Sequence, residues 1–109
     1  MWECGACRYV WDGEKPPDVC PKCGAKKERF TGLDDKAIEL VERSRYTNSL
    51  HIHLYGLLEQ VADIAEEGID DNLDPPCVRI FTKALEQAEI LQQSIKAELK
   101  GHMQKGRWG

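Results

Sequence analysis

The chain has 109 residues, 31% of them charged, and its formal net charge is -4. This acidic balance argues against nucleic-acid binding, which normally needs a basic surface. No run of about 18 apolar residues is present, so we expect no membrane-spanning segment. The first residues lack the basic and apolar regions of a secretory signal. We therefore expect a cytoplasmic protein, whose thiols remain reduced.

Two Cys-x-x-Cys pairs stand in the first 30 residues: Cys4 with Cys7, and Cys20 with Cys23. In a reducing compartment such pairs indicate metal ligands rather than disulfides. Each pair is typical of a tight turn whose two sulfurs face one point. The two turns together predict a tetrahedral four-sulfur cage for Zn or a single Fe. A unit of about 30 residues cannot bury enough apolar surface to fold alone, so the metal would also stabilise the fold.

The residues around the cysteines agree with this prediction. Gly24 follows the second pair, where the backbone often needs a positive φ. The stretch Tyr9-Val10-Trp11 predicts a short strand that leads out of the first turn. We expect four aromatic side chains to pack beside the cage and keep water from the sulfurs: Trp2, Tyr9, Trp11 and Phe30.

Residues 2–30 follow the string W-x-C-x-x-C-x-Y-x-x-x-G-x-x-P-P-x-x-C-P-x-C-G-A-x-K-x-x-F. This string resembles the rubredoxin-like domain of rubrerythrins. The resemblance implies a mononuclear Fe(Cys)4 centre on a three-stranded sheet, which shuttles one electron between the ferric and ferrous states. It also implies that the metal ligands are Cys4, Cys7, Cys20 and Cys23. A structural zinc site remains the alternative, because tetrahedral thiolate suits both metals.

One position departs from the family pattern. The family usually has glycine after the second cysteine, and this chain has Arg8. If that position needs a positive φ, arginine adds strain of about 1 kcal/mol. We expect its side chain over the mouth of the cluster, where a cation would favour the more negative, reduced centre and raise its potential.

A helical pattern begins after the cysteine segment. Thr31-Gly32-Leu33-Asp34 resembles a capping box, so we expect a first helix over about residues 33–68. Gly68 and the polar stretch that follows it would end this helix. Its apolar stripe has helical spacing and consists of Leu50, Leu54, Leu57, Leu58, Val61, Ile64 and Ala65.

A second helix is predicted over residues 75–104. Asp74 would cap its start, and the following Pro75 fits the first turn of a helix. Its apolar stripe repeats at close to seven residues, as helix bundles require. The stripe consists of Phe81, Ala84, Leu85, Ala88, Leu91, Ile95, Leu99 and His102.

The predicted fold class is a small metal-bound β domain, residues 1–30, followed by an all-α helical hairpin, residues 31–109. One hairpin alone leaves much of its apolar surface exposed. A second hairpin would cover that surface, so we expect a homodimer that forms a four-helix bundle.

Rubrerythrins also contain a di-iron site in a four-helix bundle, which needs inward-facing Glu and Glu-x-x-His motifs. This chain has no Glu-x-x-His. Extending the first stripe backward places Glu39, Arg43 and Thr47 on the inner face of the helix. We favour a break or rotation of the helix near residues 45–48, or a shifted contact of the helix, for instance against the cysteine domain. The alternative is an inner polar cluster that could form a second metal site.

The remaining candidate residues are predicted to be structural. His51 and His53 diverge on a helix and cannot chelate together, and His102 lies on the second stripe. Cys77 is predicted to be a buried thiol, with a low-pKa thiolate at a helix N-terminus as the alternative. The acidic run from residue 63 to 74 is either a solvated turn or a docking patch for a basic redox partner.

The sequence therefore favours a small one-electron carrier that is not an enzyme, whose helices dimerise or dock onto a redox partner protein. We expect neither nucleic acid nor a membrane as partner. Two alternatives remain: an interaction module with structural zinc, and a rubrerythrin-like peroxidase with a di-iron site at a subunit interface.

Overall fold

A computed structural model describes all 109 residues of the chain. It divides into two compact units, Met1–Arg45 with Gly106–Gly109, and Tyr46–Lys105. Neither of the helices is long and apolar enough to cross a membrane. The elements are, in chain order, β1 (Trp2–Cys4), β2 (Val10–Trp11), a short 3-10 turn (Lys27–Arg29), β3 (Phe30–Gly32), α1 (Asp35–Asp71) and α2 (Pro75–Gln104). A small three-stranded β domain followed by two long helices confirms the predicted fold class.

The first unit contains an antiparallel sheet in the order β2-β1-β3. The register pairs Trp2 with Trp11 on one side of β1 and Cys4 with Phe30 on the other. The sheet therefore places the first cysteine beside a buried aromatic ring. Cys4 is fully buried and Phe30 is 8% exposed.

The two indoles of the sheet hold the loop that follows β2. Trp11 donates from Nε1 to the carbonyl oxygen of Lys15 at 3.0 Å, and Trp2 donates to that of Glu14 at 3.2 Å. Gly13 lies so close to Trp11 that an added Cβ would be 2.2 Å from Nε1. Only glycine fits at this point of the loop without displacing the ring.

Helix α1 begins two residues later than expected. Thr31 pairs with Glu3 in the sheet and cannot cap a helix, so Asp34 is the cap. Its Oδ1 accepts a hydrogen bond from the backbone N–H of Ala37 at 2.8 Å. The helix also continues three residues past Gly68, and it ends where Asn72 takes a φ of 50°, the left-handed conformation typical of helix ends.

The helices of the second unit pack along one line of buried and half-buried residues, here called the hairpin seam. On α1 the seam residues lie three or four apart, and they are Asn48, His51, Tyr55, Leu58, Ala62 and Ala65. On α2 they are Phe81, Leu85, Ala88, Gln92, Ile95, Leu99 and His102. Leu58, Ala88 and Ile95 form the buried centre of the seam, as the repeat of about seven residues predicts.

The expected break of α1 near residues 45–48 is wrong, because α1 is continuous. The buried positions at that end are Val41, Ser44 and Asn48, which keep the spacing of the seam. Glu39, Arg43 and Thr47 are exposed and form no inner cluster. The error arose because the inner face was extended backward from Leu50 and Leu54, whose side chains are exposed.

The apolar stripe expected on α1 is in fact two stripes. Leu58 and Ala65 belong to the hairpin seam, with exposures of 8% and 1%. The other members form a separate line on α1, here called the outer stripe, in which every side chain is between 41% and 61% exposed. The outer stripe consists of Leu50, Leu54, Leu57, Val61 and Ile64.

Helix α2 covers the expected range and has the expected cap. Asp74 Oδ1 accepts from the backbone N–H of Cys77 at 2.9 Å, and this bond, together with one from the Cys77 thiol, lowers the pKa of Asp74. The hydrogen bond to the Asp74 side chain raises the pKa of the Cys77 thiol, and burial and the charges of Asp74 and Asp71 act in the same direction. The low-pKa alternative for Cys77 is therefore wrong.

We predict that Asp74→Ala lowers the midpoint of thermal unfolding by about 4 °C, because α2 loses its N-cap. Since the pKa of Asp74 is lowered in the fold, the cap stabilises the chain above the ordinary aspartate pKa. Its contribution disappears as the pH falls through the lowered value. Thermal unfolding followed by circular dichroism between pH 2 and 7 measures both effects. The exposed Asp70→Ala is the control and should change neither.

Candidate metal centre

The sulfur atoms of the four N-terminal cysteines converge on one point. Cys4 Sγ lies 3.8 Å from Cys23 Sγ, and Cys7 Sγ lies 3.7 Å from Cys20 Sγ. All four sulfurs are within 4.8 Å of one another, and no disulfide joins them. A tetrahedral ion with metal–sulfur bonds of about 2.3 Å separates its sulfurs by about 3.8 Å. The donor set therefore fits a single tetrahedral metal ion.

The two cysteine turns have the same backbone. In the first, the N–H of Arg8 donates to the carbonyl of Cys4 at 2.8 Å; in the second, the N–H of Gly24 donates to that of Cys20 at 2.9 Å. Each turn ends in the left-handed region, with φ 67° at Arg8 and 76° at Gly24. The expected positive φ at both positions is confirmed, and arginine occupies a conformation that suits glycine.

The first cysteine of each pair is prepared for ionisation. Burial raises the pKa of Cys20, but the backbone N–H groups of Cys23 and Lys22 and the neighbouring thiols outweigh it, and the pKa falls to about 7. Cys4 is lowered in the same way against its burial, by the N–H groups two and three residues further on. Hydrogen bonds to the anionic form favour the thiolate.

The second cysteine of the first pair behaves differently. The backbone N–H of Tyr9 lowers the pKa of Cys7, but burial and the other three thiols outweigh it, and the pKa rises to about 12. Cys7 therefore stays protonated when no ion is bound, and its thiol donates a hydrogen bond that favours the ionised form of Cys4 and Cys20. A cation among the sulfurs favours the ionised form of all four, and metal binding therefore releases protons.

Aromatic rings surround the buried side of the centre, as expected. Phe30 is buried with Cys4 and Cys20, and four partly buried side chains pack against this cluster beside Cys7. They are Trp2, Tyr9, Trp11 and Ala25. Cys23, by contrast, is exposed. The sulfurs are thus shielded from water on the sheet side and reach the surface on the other.

The side chain of Arg8 does not stand as an unpaired cation at the centre. Its Nε lies 3.3 Å from Glu3 Oε1, and the side chain is 75% exposed. The carboxylate offsets the charge of the guanidinium, so the expected effect of this cation on the potential is reduced.

A residue that the sequence analysis missed holds the loop beside the centre. Arg45 forms a two-pronged pair with Asp12, with nitrogen–oxygen distances of 2.9 and 3.2 Å. Its Nε also donates to the carbonyl oxygen of Gly109 at 2.8 Å. Because Asp12 and Arg45 are 33 positions apart, no local pattern indicates this contact.

The other candidate ligands do not come together within the chain, since the four cysteines are the one group that could hold a metal. His102 is buried in the hairpin seam, with Nδ1 2.5 Å from Asn48 Oδ1 and Nε2 3.1 Å from Glu98 Oε1. His51 meets the ring of His102 edge-on, and His53 is exposed. The structural interpretation of these histidines agrees with these contacts.

We predict that the free energy of unfolding of Arg8→Gly is about 1 kcal/mol higher than that of Arg8→Ala. Both variants lose the ion pair with Glu3, and only glycine relieves the strain of the positive φ. The comparison is made by denaturant titration of the metal-loaded protein. Equal stability of the two variants would show that the φ of Arg8 costs nothing.

We predict that removing the metal unfolds the sheet of the first unit and leaves the helices of the second. Without the ion, nothing joins the four sulfurs on which the aromatic rings pack, whereas the hairpin seam contains no cysteine. Tryptophan fluorescence should shift to longer wavelength on chelation, while most of the far-ultraviolet helical signal persists. Metal-loaded Cys77→Ser is the control and should keep the native emission. Simultaneous loss of both signals would contradict this prediction.

The comparisons with known proteins agree with the geometry. Residues 2–31 match the family model described as "Rubrerythrin, rubredoxin-like domain", which ends before α1. The chain is also 27% identical over 79 residues to Reverse rubrerythrin-1 of Clostridium acetobutylicum, covering 72% of this chain and 39% of that protein. No solved structure matched. Residues 2–31 are a rubredoxin-like domain with a four-cysteine metal site, related to the rubrerythrin family.

Proposed function

We propose that the chain is a cytoplasmic one-electron carrier that binds one iron ion through Cys4, Cys7, Cys20 and Cys23. The convergence of the four sulfurs, at the spacing of a tetrahedral ion, is the observation that supports this most directly. Iron in such a site supplies a ferric and a ferrous state that differ by one electron. The match of residues 2–31 to a rubredoxin-like domain favours iron over zinc.

The protein contributes a rigid and partly screened ligand set. Each cysteine turn is closed by a backbone hydrogen bond; the first turn continues from β1, and the second is flanked by the antiparallel bridge between Val19 and Lys26. The sulfurs therefore hold their positions when the charge of the centre changes. Backbone N–H groups directed at the sulfurs stabilise negative charge there, and the aromatic shield keeps water from the buried sulfurs. The rigid turns and the exclusion of water both keep the structural change on electron transfer small.

The exposed edge of the centre is the proposed route for the electron. Cys4 and Cys20 are buried, whereas Cys7 is half-buried and Cys23 is exposed. Lys22 precedes Cys23 and is exposed. A redox partner protein that approaches this edge with an acidic surface would come closest to the sulfurs and be attracted by the lysine.

Structural zinc remains the second candidate, because the same sulfur spacing suits a zinc ion. A zinc centre would leave the fold unchanged and would carry no electron. A peroxidase with a di-iron site finds no second ligand group within the chain.

The two candidates are separated by anaerobic loading with ferrous iron, followed by air oxidation. We predict one iron per chain, visible thiolate-to-iron absorption, and reversible bleaching with dithionite and air. Cys20→Ser should lose this spectrum, whereas Cys77→Ser, which changes a cysteine outside the centre, should keep it.

Two results would contradict the proposal. One is an iron-loaded protein that does not bleach reversibly with dithionite. The other is a protein isolated with one zinc per chain that cannot be replaced by iron under anaerobic conditions.

A further inference from the structure

The outer stripe of α1 is an unpartnered apolar surface within the second unit. Its members are spaced four, three, four and three residues apart, from Leu50 to Ile64. This is the spacing by which a helix packs along another helix. The hairpin seam does not use these side chains, since each is at least 41% exposed. A contiguous apolar surface of this kind marks an interaction site.

Helix α2 adds to the same side of the hairpin. Leu91 is 45% exposed and precedes the seam residue Gln92. In an antiparallel helix pair, the residues that directly precede the seam residues of both helices lie on the same side of the seam. Each outer-stripe residue directly precedes a seam residue of α1, as Leu91 does on α2, so Leu91 lies beside the outer stripe. The opposite side of the seam is polar, with Glu59 on α1 and Lys96 on α2, the latter above the ring of Tyr55.

The charges of the hairpin are divided between its two ends. The open end is basic or neutral: residues 46–58 contain no Asp or Glu, the last turns of α2 carry Lys96 and Lys100 against Glu98, and Lys105 follows the helix. The turn end is strongly acidic, with Arg79 and Lys83 as its basic residues. Its acidic residues are Glu59, Asp63, Glu66, Glu67, Asp70, Asp71, Asp74, Glu86 and Glu89.

We propose that the outer stripe binds a second copy of this chain, with the two hairpins antiparallel. The acidic turn of each hairpin then lies beside the open end of the other. Leu57 is at the centre of the contact and faces its own counterpart, while Leu50 faces Ile64 of the second copy. The result is a four-helix bundle made from two chains.

Self-association follows from two properties of the surface. A two-fold dimer needs a patch that is complementary to itself, and the outer stripe has nearly the same spacing read from Leu57 in either direction. The charges select the orientation. A parallel pair would bring two acidic turns together, whereas an antiparallel pair sets each acidic turn beside the open end of the other copy, which carries few acidic residues. The proposal is independent of which metal the cysteines bind.

The first test is sedimentation equilibrium of the full metal-loaded chain. We expect the wild type to dimerise and Leu57→Glu to raise the dimer Kd by at least about 30-fold. The matched control is Ile90→Glu, which places the same charge on an isoleucine of α2 that is 56% exposed and lies outside the seam and the outer stripe. The control should leave Kd unchanged. Circular dichroism verifies that both variants stay helical.

The second test decides the orientation. In the antiparallel dimer, the double change Asp70→Lys and Asp71→Lys removes attraction, so it should raise Kd several-fold. Added salt should also raise the wild-type Kd, because it screens attraction between opposite charges. A parallel dimer would respond to both changes with a lower Kd, since they relieve repulsion.

Three outcomes would overturn the proposal. A wild-type chain that stays monomeric at sub-millimolar concentrations would leave the outer stripe to a different protein or a lipid surface. A dimer that Leu57→Glu does not weaken would use another surface. A dimer that salt strengthens, and that the double lysine variant strengthens too, would have the parallel orientation.

Discussion

The convergence of four sulfur atoms is the constraint on which the first unit depends. Cys4 and Cys20 come from separate turns, and each would be a costly buried polar group without its N–H donors and a shared ion. The sheet, the aromatic shield and the left-handed residues Arg8 and Gly24 all serve to hold these turns in one geometry. A domain this small has little else to stabilise it.

The second unit depends on a different interaction, the packing of two helices along the hairpin seam. Leu58, Ala88 and Ile95 form the buried apolar centre of the seam. The buried pair of Asn48 and His102 adds specificity, because sliding one helix along the other would break the hydrogen bond between them. The same packing leaves the outer stripe exposed, so the unit that folds also presents an apolar surface.

Features set by neighbouring residues were predictable. The spacing of the cysteines indicated the metal centre, the position of Arg8 indicated a positive φ, and Asp74 before Pro75 marked the start of α2. In each case the physical cause lies within a few residues: a turn, a steric limit on φ or a side chain that caps a helix. Thr31 shows the limit of such reasoning, because pairing with β1 overrode its local role as a cap.

The sequence by itself determined the ligand set and the two helices, since spacing, turn residues and caps act locally. Only the tertiary structure decided which apolar line of α1 is inside. The outer stripe is the more apolar of the two lines and Leu58 is the one leucine of α1 in the seam, yet α2 packs on the line that includes Asn48 and Leu58. The pairing of Arg45 with Asp12 was likewise decided by the fold. Contacts between distant residues depend on the path of the chain in space, which no local pattern specifies.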